Sequence, residues 1–326
     1  MSNLETEPAE IVCDSPAVPA ADPVVILQPR DVPLGGPRAM GVRRTLPQRE
    51  RSLIGAWCFV DHYGPDDVSV TGGMVVPPHP HTGLQTASWL FAGEVEHRDS
   101  VGSLALVRPG ELNLMTAGAG ISHSEVSTPN TTALHGVQLW IALPDLTRHQ
   151  APHFENFVIA PIVRSGVTLH VFLGTLAGHS AAATGDTPLV GAQIDLPAGS
   201  SIDLEVETTF EHGVLVDTGT VRFGGATVQQ NELGFARAGR SGIHLANTGD
   251  GPARVVLLGG EPLGEQIVMW WNFIGRSHEE ITAWRAQWQH EVIDTADPAG
   301  RFGQVAYHGN ALPAPSLPTV RLKPRR

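Results

Sequence analysis

The chain has 326 residues, of which 41% are hydrophobic and 17% charged, enough to bury one large or two ordinary cores. Its formal net charge is −12. Proteins that bind nucleic acid usually carry an excess of basic residues, so we expect no direct contact with nucleic acid. Because Cys13 and Cys58 are the only cysteines, a disulfide scaffold and a cysteine-based zinc site are excluded.

Residues 1–23 are acidic and rich in proline and alanine. Such a segment buries too little apolar surface to offset the entropy of ordering it, so it is predicted to be a disordered tail. It lacks the basic and apolar regions of a secretory leader, and no apolar run approaches the length needed to cross a bilayer. We therefore expect a cytoplasmic protein without membrane contact.

Short segments rich in valine, leucine and threonine follow, separated by glycine and proline; examples are residues 104–107, 167–173 and 254–258. Many short strands at close spacing favour all-β sandwiches or barrels over alternating β and α units. Two domains are expected, over residues 24–150 and 151–293.

A helix is predicted near the C-terminal end, over about residues 278–290 within the second domain. Ser277 and Glu280 form a capping box, and Ile281, Trp284 and Trp288 follow at helical spacing. Residues 294–326 return to proline, glycine and alanine and are predicted to form an arm or a loose tail.

The two halves resemble each other. Residues 73–93 correspond to residues 199–219 with a constant shift of 126, and residues 111–123 correspond to residues 232–244 with a shift of 121. A shorter hairpin loop between matched strands accounts for the difference. Duplication of one β-domain is the simplest explanation.

The most informative motif is His79-Pro80-His81, followed by His123-Ser124-Glu125 after a glycine-rich run. Residues two apart on a strand point to the same face, so each motif presents two donors to one place. Three imidazoles and a carboxylate make a plausible ligand set for a divalent transition metal. In the second half the matching residues are Glu205, Glu207, His244 and Ala246, which favours a relic whose acidic groups face water.

Residues 79–86, 93–100 and 115–125 resemble the N-terminal signature of the pirin family within the cupin superfamily, and the similarity extends from about residue 42 to residue 281. The resemblance implies a bicupin of two antiparallel jelly-roll barrels. It also implies one metal, most often iron, held by His79, His81, His123 and Glu125. Fe(II) is expected, with Mn, Ni, Cu or Zn as alternatives. Where some members carry a glutamate four residues after the second histidine, this chain has Gln85.

Several members of the family resemble quercetin 2,3-dioxygenases. For that activity the substrates would be a small aromatic flavonol and O₂, with Glu125 as catalytic base. Counting alternation from His81 places Gln85, Trp89 and Phe91 towards the cavity, although plain core is the simpler interpretation for the two aromatic residues. Met115 is expected in the core or at the pocket rim.

Three polar groups outside the motif are expected to be solvated: Asp61 and His62 in a turn, and residues 97–99 in a surface connection. A role for Asp61 or His62 in orienting a ligand imidazole is the alternative.

Two other functions fit the same ligands. One is an iron-containing redox sensor that modulates a protein partner, as a nuclear co-regulator of the family does. The other is an isomerase or different cupin activity that uses zinc or manganese.

Overall fold

The protein is described by a computed structural model over residues 23–34 and 40–324. The predicted disordered tail, apart from residue 23, and Cys13 therefore lie outside the described residues. The described chain consists mainly of short antiparallel strands, which confirms the all-β prediction.

The first half of the chain contains twelve described strands and one short helix. They are β1 (Val25–Leu27), β2 (Arg30–Leu34), β3 (Met40–Leu46), β4 (Trp57–Asp67), α1 (Val68–Thr71), β5 (Val75–His81), β6 (Leu84–Ala92), β7 (Val95–Asp99), β8 (Leu104–Val107), β9 (Glu111–Thr116), β10 (Ile121–Ser127), β11 (Ala133–Ala142) and β12 (His153–Val158).

The second half contains the remaining described elements. They are β13 (Ile162–Arg164), β14 (Val167–Leu173), β15 (Thr175–Leu176), β16 (His179–Ser180), β17 (Leu189–Leu196), β18 (Ser201–Glu205), β19 (Glu211–Thr218), β20 (Val221–Phe223), β21 (Ala226–Val228), β22 (Leu233–Ala236), β23 (Gly242–Asn247), β24 (Ala253–Gly260), β25 (Val268–Trp270), β26 (Phe273–Gly275) and α2 (His278–Trp288), which a π-helical turn (Gln289–Asp294) extends.

Each half builds one seven-stranded and one four-stranded antiparallel sheet. In the first half the strand orders are β12-β9-β6-β11-β4-β3-β2 and β5-β10-β7-β8; in the second they are β1-β22-β19-β24-β17-β14-β13 and β18-β23-β20-β21. In the second half, Ile202 and Leu204 of the small sheet share one apolar core with Val214 and Val216 of the large sheet. The two sheets of that half therefore pack face to face, as the duplicated pattern predicts.

Two edge strands pair across the expected boundary at residue 150. Strand β1, at the start of the chain, pairs with β22 in the second half, where Val25 lies opposite Phe235. Strand β12, which follows the first domain, pairs with β9, where Phe154 lies opposite Met115. The expected boundary at residue 150 remains a prediction, and the strand pairing ties both sides of it together.

The two large sheets meet across a shared apolar core. The indole ring of Trp89 stacks on Phe172 with ring centroids 5.0 Å apart, and its Nε1 donates to Oε1 of Gln193 at 2.7 Å. Trp57 Nε1 donates to the backbone oxygen of Gly259 at 3.1 Å. Satisfied indole N–H groups allow large aromatic rings to be buried without a desolvation cost.

The C-terminal helix forms as the sequence predicts. Ser277 accepts a hydrogen bond from the backbone N–H of Glu280, and Ile281, Trp284 and Trp288 are buried. The carboxylate of Glu280 accepts from the backbone N–H of Arg276 at 2.6 Å, so the reciprocal half of the capping box is displaced by one residue.

The residues after this helix form a packed arm rather than a loose tail. Leu312 donates its backbone N–H to Pro78 in β5, and Ser122 in β10 donates its hydroxyl to the backbone oxygen of Phe302. The arm thus supports the outside of both histidine-bearing strands. Neither helix of the described chain has the length and apolar character that crossing a bilayer requires.

The buried His212 on β19 makes the stability of the protein sensitive to pH. Both of its ring nitrogens lack a hydrogen-bond partner, and burial, with a smaller effect from Arg240, lowers its pKa to about 4. An unfolded histidine titrates near pH 6.5, so the unfolded chain takes up the proton first as the pH falls. The stabilisation is complete above about pH 6.5 and is lost as the pH falls towards 4.

We therefore expect His212→Leu to lose less stability on acidification than the wild-type protein. Between pH 7 and pH 5 the difference should be about 2 kcal/mol in the free energy of unfolding, measured by urea titration with a chelator present. The exposed control His153→Leu should keep the wild-type dependence. An unchanged pH dependence in His212→Leu would contradict the assignment.

Candidate metal centre

The pairing of β5 with β10 sets the positions of the histidine motifs. Strand β10 runs antiparallel to β5, with His123 opposite His79 and Ile121 opposite His81. Residues at even spacing on each strand share a face, so all three imidazoles point to the same side of the small sheet.

The structure brings His79, His81 and His123 together in the interior. One ring nitrogen from each lies within 4.8 Å of those of the other two, and the three side chains are fully buried. The Nε2 atoms of His81 and His123 are 3.1 Å apart. Protein donors on a tetrahedral ion with bonds of 2.0–2.1 Å are separated by about 3.3 Å, so this spacing suits a shared ion.

Burial keeps these imidazoles neutral. It lowers the pKa of His79 to about 3 and holds the pKa values of His81 and His123 well below their ordinary value. Nδ1 of His79 donates to the backbone oxygen of Pro77 at 2.9 Å, which leaves Nε2 as a buried lone pair with no hydrogen-bond partner. An unmatched nitrogen lone pair aimed at two others fits a transition metal.

Glu125 lies next to this group without joining it. The side chain is 2% exposed and occupies β10 two residues beyond His123, opposite His97 of β7. A register irregularity between His123 and Glu125 places Glu125 opposite Val76 of β5. Its carboxylate is outside the set of atoms within 4.8 Å of one another, so its ligation remains a prediction.

The expected solvation of residues 97–99 is wrong for two of the three. His97 and Asp99 are 3% and 4% exposed, whereas Arg98 points outward and pairs with Glu96 at 2.6 Å. Nδ1 of His97 lies 3.3 Å from Nδ1 of His123, and Nε2 of His97 lies 3.1 Å from the carboxylate of Asp99.

The proton positions along this chain follow from the carboxylate. Because Asp99 only accepts, Nε2–H of His97 donates to it, and Nδ1 of His97 is then the acceptor for Nδ1–H of His123. Although burial opposes ionisation of Asp99, hydrogen bonds from His97 and from the backbone N–H of Ser103 hold its pKa below the ordinary value. His123 is thereby fixed in the tautomer that presents Nε2 to the other imidazoles. Alternation along β7 gives His97 and Asp99 one face, a signal present in the sequence.

An aromatic stack supports a second imidazole. Trp140 lies edge-on to His81 with centroids 5.1 Å apart and stacks on Phe59 at 4.0 Å. The guanidinium of Arg44 lies 4.2 Å from the centre of the Phe59 ring and forms two hydrogen bonds with Asp61, at 2.6 and 2.8 Å. Asp61 is therefore a buried strand residue paired with Arg44, not a solvated turn residue.

The expectation of a solvated turn position is also wrong for His62. It is 1% exposed on β4, and its Nε2 lies 2.7 Å from Asp217 of the second half. Neither Asp61 nor His62 is hydrogen-bonded to a metal-motif histidine in the described residues.

The predicted pocket residues divide between two faces of the large sheet. Met115 belongs to the apolar cluster of Trp140, on the side of the imidazoles. Trp89 and Phe91 instead face the second domain, where Trp89 contacts Gln193 and Phe172.

Gln85 follows the same alternation, and its Nε2 donates to the hydroxyl of Thr116 at 2.9 Å. Gln85, Trp89 and Phe91 do share one face of β6, but it is not the face towards the imidazoles. The reason is that β5 and β6 lie in different sheets, and Gly83 turns the chain between them with φ of +69°. A Cβ at Gly83 would lie 2.1 Å from the backbone oxygen of Ile274.

The second half has no matching histidine cluster among its described residues. Glu205 and Glu207 are exposed, and His244 pairs at the surface with Asp203 at 2.7 Å. The shifts of 126 and 121 hold between β19 and β22, where His212 faces Ala236, as Thr86 faces Met115 in the first half. They fail between β18 and β23 by two residues, and leucine and isoleucine fill the interior there.

The fold and the histidine cluster define a two-domain cupin with its candidate metal site in the first domain. The sequence profile of the family described as Pirin matches residues 39–141, and that of the Pirin C-terminal cupin domain matches residues 191–294. The chain belongs to the pirin family.

Individual relatives agree with this membership. The chain is 42% identical over 291 residues to a Pseudomonas aeruginosa protein named "Putative quercetin 2,3-dioxygenase", covering 89% of each sequence. A pirin-like protein of Caulobacter vibrioides is 31% identical over 291 residues, which are 84% of this chain and 94% of the relative. A crystal structure of quercetin 2,3-dioxygenase from Acinetobacter baumannii has a TM-score of 0.86 and 34% identity, covering 94% of this chain and 99% of that one.

If His97 fixes the tautomer of His123, removing it should weaken metal binding while leaving three ligand imidazoles in place. We expect His97→Ala to reduce metal affinity by about 10–100-fold, because outer hydrogen-bond partners of ligand histidines contribute on that scale. The measurement is a competition titration against a chelator. The neighbouring Arg98 points outward, so the control variant Arg98→Ala should bind metal like the wild type. Wild-type affinity in His97→Ala would refute the role of His97.

Proposed function

We propose that this pirin-family protein is a metal-dependent dioxygenase of the quercetin 2,3-dioxygenase type. It would cleave the central ring of a flavonol, or of a related enolisable aromatic, with O₂. The supporting observation is the convergence of three buried, neutral imidazoles, with His79 offering an unmatched nitrogen. The names of two relatives above 30% identity point to the same activity.

His79, His81, His123 and Glu125 would hold the metal, and Fe(II) is the ion proposed. Imidazole and carboxylate ligands also suit manganese, nickel, copper and zinc, so the test includes each of these ions as well as iron. When bound, the ion supplies Lewis-acid polarisation of the 3-hydroxyl oxygen and redox contact with O₂.

The side chains of the site have separate tasks in this proposal. Glu125 accepts the proton of the flavonol 3-hydroxyl, as a general base placed beside the ligand histidines. Met115 and Trp140 form part of an apolar wall that excludes water from the reacting ring. The overall reaction adds both atoms of O₂ to the flavonol, opens the ring and releases one molecule of carbon monoxide.

The direct experiment adds quercetin, under air, to protein loaded in turn with each of the five ions. We expect carbon monoxide release in step with loss of the flavonol absorbance, and loss of both in His81→Ala. The surface variant His244→Ala should retain full activity. No turnover with any ion, together with a protein partner captured only in one redox state of the metal, would replace this proposal with the regulatory function.

The role of Glu125 has its own prediction. Glu125→Gln keeps the size of the side chain and removes the base, so turnover should fall by about 10²–10⁴-fold, the usual contribution of general base catalysis. Metal retained in this variant, counted by elemental analysis, would separate the base from a ligand role. Wild-type turnover in Glu125→Gln would remove Glu125 from the mechanism.

A further inference from the structure

A second group of metal-binding side chains lies between the two domains. His62 on β4 and His135 on β11 belong to the first domain, and Asp217 on β19 belongs to the second. One donor atom from each lies within 4.8 Å of the others. Nε2 of His62 and Nε2 of His135 are 2.7 and 2.5 Å from the same oxygen, Oδ1 of Asp217.

The carboxylate of Asp217 is held by its other oxygen. Oδ2 accepts from the hydroxyl of Thr218 at 2.9 Å and from Nη1 of Arg254 at 3.4 Å. Burial opposes ionisation of Asp217, yet hydrogen bonds from His135 and His62 hold its pKa well below the usual range. The carboxylate is therefore anionic and oriented, with Oδ1 directed at both imidazoles.

We propose that His62, His135 and Asp217 form a second divalent-metal site, of the zinc class, that joins the two domains. Two imidazole nitrogens and one carboxylate oxygen are a donor set that zinc proteins use, with water completing the tetrahedron. The side chains of His62 and Asp217 are 1% and 0% exposed, and that of His135 is 11% exposed, so the group is reached from the side of His135.

Binding requires a modest rearrangement. In each ring the proton moves from Nε2 to Nδ1. This changes the tautomer of the ring and leaves its charge unchanged. The nitrogen-to-oxygen distances must open from 2.5 and 2.7 Å. Their target is about 3.3 Å, the edge of a tetrahedron with bonds of 2.0–2.1 Å. His135 has the most exposed side chain of the three, so we expect it to make most of this movement.

The charges around the group tolerate a cation. The guanidinium groups of Arg43 and Arg254 face it from β3 and β24, and the carboxyl groups of Asp66 and Asp195 lie beside those two arginines. With Asp217 there are three carboxyl groups against two guanidinium groups.

The test counts zinc ions per chain by equilibrium dialysis and elemental analysis of metal-stripped protein. We expect two for the wild type, one for His81→Ala, one for His135→Gln and none for the double variant. His135→Gln keeps an N–H donor for Asp217 and so separates the metal from the hydrogen bond. The surface variant His244→Ala, which removes an imidazole paired with Asp203, should still bind two.

Thermal denaturation of His81→Ala gives a second measurement that depends on the interdomain site alone. Zinc should raise its midpoint, and the rise should vanish in the double variant, because a ligand bound only by the folded state stabilises that state. A count of zero in His81→Ala, or a count that His135→Gln leaves unchanged from the wild type, would overturn the proposal.

Discussion

The register between β5 and β10 is the constraint on which the candidate metal centre depends. Placing His79 opposite His123 puts both histidine motifs on one face, and a slip of one residue would turn every side chain of a strand to the other side. In the second half the equivalent strands pair two residues away from the duplicated register, with His244 opposite Asp203 at the surface and apolar side chains in the interior.

The register alone does not make a metal centre. Burying three imidazoles at one point costs free energy, and each ring must be held in a fixed orientation. Two chains of contacts provide them. Asp99 and His97 set the tautomer of His123, and the buried Arg44–Asp61 pair carries the aromatic stack that ends on His81. Both chains begin at a buried carboxylate, so the orientations of His123 and His81 each rest on an ion pair or hydrogen-bonded pair beside the cluster.

Much of this could be predicted from local patterns, and the failures share one cause. The motif histidines and the capping box of α2 depend on residues near each other in the chain. The faces of Trp89 and the burial of His97 depend on which strands become neighbours. Alternation gives a strand two faces but does not say which one meets the cavity, and the change of sheet at Gly83 reversed the expected answer for β6. Asp61 failed for the same reason, because its partner Arg44 lies on another strand.

The two histidine clusters therefore depend on different parts of the fold. The three histidines of the first lie on two paired strands, β5 and β10, of one small sheet. The second requires His62 and His135 to meet Asp217 across the interface that also buries Trp89 against Phe172. The edge strands β1 and β12 also pair across the expected domain boundary, so strand pairing ties the two domains together. The second half, which has no histidine cluster of its own among the described residues, thus places Asp217 against two histidines of the first half.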